Sequence, residues 1–298
     1  MQHVENPTDR STPLLKERIR TLFRHFPKAL AGEEEAVHQM RVAARRLRTA
    51  LPLLARKPGG RRVREALAIL RDVTRAGGGS RDLDVGLSLL EARLKASGSI
   101  TPELALLRRR LRGARARSRG RMANELLDLP ISRLRRRLAV AVERRGEDLF
   151  TALSRLRDVA DGERTKVQEA LESAGERYLP VELHRVRIRC RRLRYTAEVM
   201  DALRGQESGA PALFKQVQER LGRIHDAFVL ATWMAHQATL AEARGAATLA
   251  AEARSQSAAL LDESRVEHRQ FLEMGPRDLL FKALDAMARS RETSERAS

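Results

Sequence analysis

One eleven-residue pattern occurs twice in this chain, first from His38 to Arg48 and again, 146 residues later, from His184 to Arg194. Both copies read H-x-x-R-x-x-x-R-R-L-R, so six of the eleven positions are identical. A pattern that recurs at a fixed spacing is typical of two copies of one structural unit. Because most of the shared residues are cations, each copy is expected to contribute to a site for something anionic.

The spacing places the shared cations on one side of an α-helix, which advances about 100° per residue. Apolar residues such as Met40, Ala44 and Leu47 follow a separate stripe that is typical of a packed face. A single arginine-rich stripe is also typical of a solvated face, but the identical register of two copies favours a binding site. The predicted cationic stripes are His38, Arg41, Arg45 and Arg48 in the first helix and His184, Arg187, Arg191 and Arg194 in the second.

The composition favours helix throughout the 298 residues. Hydrophobic residues make up 42% of the chain, enough for a core, whereas aromatic residues make up only 3%. Most of the apolar residues are Ala and Leu, and no strand-like alternation or hairpin signal appears. We therefore predict an all-α fold of duplicated helical bundles, with two four-helix-bundle-like halves related by a pseudo-two-fold axis.

Caps and helix breakers predict where the helices of the first half begin and end. Thr12 is expected to cap the first helix, Gly77 to Gly79 to form a break, and Ser80 to cap the helix after that break. Thr101 followed by a proline is expected to start a long basic helix. Two further helices are predicted over about residues 33–56 and 61–76.

The second half follows the same order of signals. Pro180 leads into the second repeat helix, and a short helix from about residue 212 is expected to break at Gly222. A new helix is predicted to begin at His225, followed by a long one over about residues 246–273. At a shift of 144 residues, the two halves align Arg71 with Lys215, Gly78 with Gly222, and Asp82 with Asp226.

The charge balance narrows the class of partner. The formal net charge is +19, and all but seven of the 58 Lys and Arg residues are Arg. Such a chain is expected to bind a polyanion, such as a nucleic acid, a phosphate polymer or an anionic surface. No apolar stretch approaches the roughly 18 residues of a membrane span, and residues 1–9 do not resemble a signal peptide. The protein is therefore expected to be soluble and cytoplasmic, with no membrane association.

Motifs for catalysis or cofactor binding are weak. The run from Gly77 to Arg81 lacks the Gly-Lys-Ser/Thr ending of a phosphate loop and is better interpreted as a helix-breaking turn. His225 and Asp226 are compatible with a metal-dependent phosphohydrolase, but no further ligands have matching spacing. The single cysteine, Cys190, lies on an apolar stripe and excludes an internal disulfide. We expect no enzyme activity, no metal and no cofactor.

The role of the two pattern histidines stays open at this stage. His38 and His184 are compatible with structural hydrogen bonding, or with a pH-sensitive cation beside a bound phosphate. Arg46 and Arg192 lie off the main stripe, so an alternative to ligand contact is that they brace the site through acidic residues.

In each half, the pattern is followed by a helix that carries Gly and then Arg-Asp or His-Asp. The doubled pattern with these helices resembles the CHAD domain (conserved histidine α-helical domain). Arg194-Tyr195 and Leu221-Gly222 also resemble the second half of that family. The resemblance covers about residues 12–290, with repeats over about 12–145 and 146–290. Residues 1–11 and 291–298 are expected to be flexible tails.

The resemblance implies an all-helical protein that binds inorganic polyphosphate along a basic surface or channel. The glutamate-rich signature of the CYTH triphosphatases fused to some members is absent, so their activity is not carried over. Arg71 and Lys215 are secondary candidates for ligand contact. The main ligand-contacting residues that it implies are His38, Arg41, Arg45, Arg46 and Arg48, with His184, Arg187, Arg191, Arg192 and Arg194.

The scarcity of aromatic residues favours a ligand without bases. Proteins that bind single-stranded nucleic acid combine a cationic groove with aromatic stacking platforms, and only Tyr195 lies near a cationic stripe. The leading hypothesis is non-catalytic polyphosphate binding, for localisation to or organisation of polyphosphate granules. Sequence-independent nucleic-acid binding is the alternative, and a polyphosphate phosphohydrolase that uses His38 or His184 is a weaker one.

Overall fold

The computed structural model describes residues 10–55, 57, 59–143 and 149–289, and within them the chain forms helices joined by short loops, with no strand. The all-α prediction is thus confirmed. None of these helices is both long and apolar enough to cross a bilayer. The helices are α1 (Ser11–Leu30), α2 (Glu34–Leu54), α3 (Arg61–Ala76), α4 (Gly78–Ser97), α5 (Pro102–Leu127), α6 (Ile131–Glu143), α7 (Leu149–Ala174), α8 (Pro180–Arg204), α9 (Ala210–Glu242), α10 (Ala247–Glu273) and α11 (Pro276–Arg289).

The way the helices pack repeats between the two halves. Helix α2 packs against α1 and α3, and α8 packs against α7 and α9. In the first half, α4 packs against α5 and α3 packs against α6. In the second half, α9 packs against both of the corresponding helices, α10 and α11. Helix α9 therefore takes the place of both α3 and α4. The predicted boundary between the repeats, at residues 145 and 146, lies outside the described residues.

The apolar core joins the halves instead of dividing them. One large cluster of buried residues includes side chains from α1, α2, α3 and α6 together with α7, α8, α9 and α11. Leu47 and Leu193, the leucines of the repeated pattern, are both fully buried in it. A second cluster combines α4 and α5 with the C-terminal half of α9 and α10. Residues of both repeats thus contribute to each cluster.

Several predicted helix ends are confirmed. Helix α3 spans Arg61–Ala76 as predicted, and α8 begins at Pro180. Helix α5 begins after Thr101, whose hydroxyl accepts a hydrogen bond of 3.1 Å from the Leu104 amide and so caps the helix. The buried thiol of Cys190 lies in the large core cluster, and burial raises its pKa to about 12.

Two predicted N-caps are wrong. Helix α1 already includes Ser11 and Thr12, so Thr12 does not cap the helix, and Ser11 of the predicted tail is helical. Residues 1–9 of that tail lie outside the described residues. Helix α4 begins at Gly78, and Ser80 is buried inside it. The reason is that Gly77 keeps near-helical dihedral angles (φ −74°, ψ −1°), so the break after α3 is shorter than a run of three glycines predicts.

The predicted helix break at Gly222 is also wrong, because α9 runs unbroken from Ala210 to Glu242. One glycine inside a helix costs only about 1 kcal/mol relative to alanine. On both sides of it, Leu221 and Ile224 are buried in the core. Their packing outweighs the cost of the glycine, so His225 lies in the middle of the helix and does not begin a new one.

Candidate anion-binding cavity

The two repeat helices, α2 and α8, pack against each other, and a cavity of about 600 Å³ lies along their contact. Helix α3 and residues of α4, α7 and α9 complete its wall. Its charged lining is strongly one-sided, with eight arginines and a single carboxylate, that of Asp82. The arginines are Arg41, Arg45, Arg48 and Arg71 from the first half and Arg187, Arg189, Arg191 and Arg192 from the second.

Both repeats therefore line one cavity. Of the predicted site residues, those that line it are Arg41, Arg45, Arg48, Arg71, His184, Arg187, Arg191 and Arg192. The structure does not bring His38, Arg46, Arg194 or Lys215 to its lining. Lys215 instead lies 3.5 Å from Glu219 on the outer surface, with a side chain that is 61% exposed. Its counterpart in the alignment, Arg71, does reach the cavity.

Six of the lining arginines make no ion pair with a carboxylate in the described part of the chain. Arg41 donates a hydrogen bond to the Gly77 carbonyl, and Arg45 Nε donates to the Arg41 carbonyl at 3.2 Å. The Nε atoms of Arg41 and Arg187 are buried and have no partner. The six arginines are Arg41, Arg45, Arg48, Arg71, Arg187 and Arg191.

Burial and mutual repulsion make the central cations unusually acidic. Burial, and then the charge of Arg45, lower the pKa of Arg191 to about 9. The same two effects lower the pKa of Arg41 to about 10, although Asp82 opposes them. Both guanidiniums remain charged at neutral pH, so this part of the cavity holds positive charge that the single carboxylate of the lining, Asp82, does not balance. Such a site favours an anionic ligand.

Glycines allow the central arginines to lie against the neighbouring helices. A Cβ on Gly77 would lie 2.9 Å from Arg41 Cδ, closer than real Cβ atoms approach a neighbour. A Cβ on Gly222 would lie 3.9 Å from Nε and Nη2 of Arg187, at ordinary contact distance. The sequence predicted a helix break at both glycines; the structure has one at Gly77 and none at Gly222. It places each glycine beside the equivalent arginine of its own repeat.

Arginines at the edge of the cavity are held by two acids, of which Glu163 is buried and Glu198 is half-buried. Arg46 donates two hydrogen bonds to Glu198, of 2.8 and 3.1 Å, and Arg194 Nε lies 3.6 Å from the same carboxylate. Arg192 lies 2.7 Å from Glu163, whose side chain is only 2% exposed, and Arg189 lies 3.3 Å from it. Sequence reasoning did not find Glu163 or Glu198, because both lie far along the chain from the first repeat helix and belong to no motif.

The histidines are neutral in this environment. His184 Nδ1 lies 3.1 Å from His225 Nδ1, so one imidazole donates a hydrogen bond to the other. Burial, followed by Arg187, lowers the pKa of His184, and the same two effects lower that of His225 to about 3. His38 lies outside the lining, and burial and then Arg81 lower its pKa too. In the described residues, no three His, Cys, Asp or Glu side chains form a group that could hold a metal ion.

Comparison with known proteins shows the family of the chain. The model of the CHAD domain family matches residues 13–235. The chain belongs to the CHAD family. A curated protein of Mycobacterium tuberculosis (strain CDC 1551 / Oshkosh), the uncharacterized protein MT2285, is 29% identical over 255 residues, which are 80% of this chain and 47% of that protein. The CHAD chain therefore spans about half the length of this relative.

Two solved structures share the fold of this CHAD protein. The CHAD domain from the plant Ricinus communis is 22% identical, with a TM-score of 0.60, and the match covers 88% of this chain and 91% of that one. PptA from Streptomyces chartreusis is 18% identical, with a TM-score of 0.66, and the match covers 89% of this chain and 99% of that one. At these identities, the likeness concerns the helical architecture alone.

Proposed function

We propose that this CHAD protein binds inorganic polyphosphate without catalysis and serves to localise to, or organise, polyphosphate granules. The observation that carries the proposal is the row of six cavity arginines without an acidic partner. A phosphate polymer would supply the missing negative charge as charge-assisted hydrogen bonds, and arginine presents donors in a fork that fits phosphate oxygens.

The lining of the cavity supports a ligand without bases. Apart from the imidazoles of His184 and His225, the only aromatic side chain in the lining is that of Tyr195. Tyr195 is 3% exposed, and the guanidiniums of Arg194 and Arg46 lie 4.9 and 5.7 Å from its ring centre. A nucleobase would find no open ring on which to stack, whereas polyphosphate needs none.

The polar groups of the cavity are suited to binding and not to turnover. Arginine supplies hydrogen-bond donors, and the groups of the lining that could act as a general base are the Asp82 carboxylate and the neutral imidazoles of His184 and His225. The imidazoles of His184 and His225 are bonded to each other, so their Nδ1 atoms are not paired with a nucleophile.

A competition assay tests the proposed ligand. Labelled long-chain polyphosphate would be displaced with unlabelled polyphosphate, duplex DNA and single-stranded DNA at near-physiological salt. We expect polyphosphate to compete at much lower phosphate concentration than either nucleic acid. Equal or tighter binding of DNA would overturn the preference. Release of phosphate from polyphosphate with added divalent metal, abolished by His38→Ala or His184→Ala, would overturn the non-catalytic assignment.

A further inference from the structure

Tyr195 lies between the cationic stripes of the two repeats. It follows Arg194 at the end of the second pattern, and it lines the same cavity as Arg45 and Arg191. These two arginines belong to different halves of the chain, and each lines the cavity together with Tyr195. The phenol group therefore lies where the two arginine rows converge.

The hydroxyl of Tyr195 has no hydrogen-bond partner among the described residues. The residue is almost entirely buried, and two guanidiniums cover its ring. A buried tyrosine ordinarily directs its hydroxyl to a protein partner or to water. In this case the groups beside it are cations, and a guanidinium offers donors but no acceptor. No described residue therefore accepts its hydrogen.

The equivalent residue of the first repeat behaves differently. Thr49 follows Arg48 as Tyr195 follows Arg194, and it too lines the cavity. Its hydroxyl, however, donates a hydrogen bond of 3.3 Å to the carbonyl of Arg45 in its own helix. Both repeats thus place a hydroxyl at this position, but only the one of Tyr195 remains available to a ligand.

We propose that the Tyr195 hydroxyl donates a hydrogen bond to a phosphate oxygen of polyphosphate held between Arg45 and Arg191. The inference rests on the proposed function and adds a neutral donor to its cations. Arginines attract phosphate groups at any point along a polymer, whereas a single hydroxyl in a rigid wall favours one position of one phosphate group. Tyr195 therefore sets the register of the bound chain and makes the two repeats unequal partners in binding.

The substitution Tyr195→Phe tests this role because it removes the hydroxyl and keeps the ring beneath Arg46 and Arg194. We expect long-chain polyphosphate and tripolyphosphate to bind about tenfold more weakly, the loss of roughly one hydrogen bond to a charged group. The dependence of affinity on salt should not change, because no charge is removed. The melting temperature without ligand should also stay the same, since the hydroxyl makes no bond within the protein.

Thr49→Val is the matched control, since it removes the hydroxyl that is already bonded. Because Thr49 also lines the cavity, we expect at most a small loss of polyphosphate affinity, well below that of Tyr195→Phe. If the wild type binds polyphosphate and Tyr195→Phe binds it equally well, the role of Tyr195 is refuted. An equal loss in both variants would refute it too, because it would mean that repacking of the wall weakens binding. If the wild type itself fails to bind, the proposed function is wrong.

Discussion

The guanidinium of Arg46 donates two hydrogen bonds, of 2.8 and 3.1 Å, to the carboxylate of Glu198, 152 residues further along the chain. Arg18 joins them from α1, since its Nη1 donates to the Arg46 carbonyl at 3.2 Å and its Nη2 lies 4.0 Å from Glu198. The contact ties the first repeat helix to the second beside the cavity. It holds the two arginine rows in a fixed relation.

Glu198→Gln should destabilise the protein and preserve binding. The substitution leaves the guanidiniums of Arg46 and Arg18 without a counter-charge in a largely buried place, so we expect the free energy of unfolding to fall by about 2 kcal/mol. Urea denaturation measures this loss. Glu219→Gln is the control, because Glu219 is exposed and should contribute little. Polyphosphate affinity well below the unfolding temperature should be unchanged, and a large loss of affinity would instead place Glu198 in ligand binding.

Removing cavity arginines should weaken binding without loss of helicity. We expect Arg41→Ala/Arg45→Ala and Arg187→Ala/Arg191→Ala each to reduce polyphosphate affinity, and to lower the slope of log affinity against log salt by about 2 if each arginine contacts one phosphate. Titrations at several salt concentrations, with circular dichroism, measure both quantities. Lys215→Ala, which removes a cation outside the cavity, should bind normally. Unfolding of either double variant would indicate that these arginines are structural, and normal binding by one would show that its repeat is dispensable.

Replacing each of the two glycines beside the central arginines with alanine should have different effects on polyphosphate binding and on stability. Gly77→Ala would push Arg41 from its place, because the new Cβ would lie 2.9 Å from Cδ and 3.1 Å from Cγ of that side chain. We expect weaker polyphosphate binding. Gly222→Ala meets Arg187 only at ordinary contact distance and removes a glycine from a helix interior, so it should stabilise the protein by up to about 1 kcal/mol with binding unchanged. Thermal denaturation measures the stability of the two variants, and polyphosphate titration measures their affinity. Equal effects of the two substitutions on affinity would contradict the prediction.

The neutral histidine pair predicts opposite effects of acid on stability and on binding. Because burial and Arg187 lower the pKa of His225 to about 3, this imidazole binds a proton in the unfolded chain and not in the folded one between about pH 6.5 and pH 3. Burial raises the pKa of Asp226, which offsets part of this difference at the acidic end of the range. The melting temperature without ligand should therefore fall as the pH falls through this range. His225→Gln should reduce that fall. Bound polyphosphate favours protonated imidazole, so affinity should rise from pH 7.5 to pH 5.5; an affinity that stays constant would mean that no histidine titrates beside the ligand.

The sequence predicted the parts of the site that depend on spacing along one helix. The stripes from Arg41 to Arg48 and from Arg187 to Arg191 follow from helical geometry, and both reach the cavity. It did not predict which residues of other helices complete the wall. Asp82, Val159 and His225 reach the wall from α4, α7 and α9. The acids that hold the neighbouring arginines, Glu163 on α7 and Glu198 on α8, likewise depend on tertiary packing that no local pattern encodes. Lys215 matched Arg71 in the alignment, but it lies on the outer face of α9, paired with Glu219.

The core that joins the two repeats determines how stable one repeat would be without the other. About half of the large apolar cluster lies on helices before residues 144–148, and about half lies on helices after them. Either repeat alone would therefore expose to water leucines that now contact the other repeat. A single repeat would gain stability by pairing with a second copy of itself. The duplicated chain is in this sense a covalently linked dimer, whose two subunits were free to diverge once they were joined. One has a broken helix at Gly77, whereas the other has an unbroken α9, Tyr195 where the first has Thr49, and His225 beside its pattern histidine.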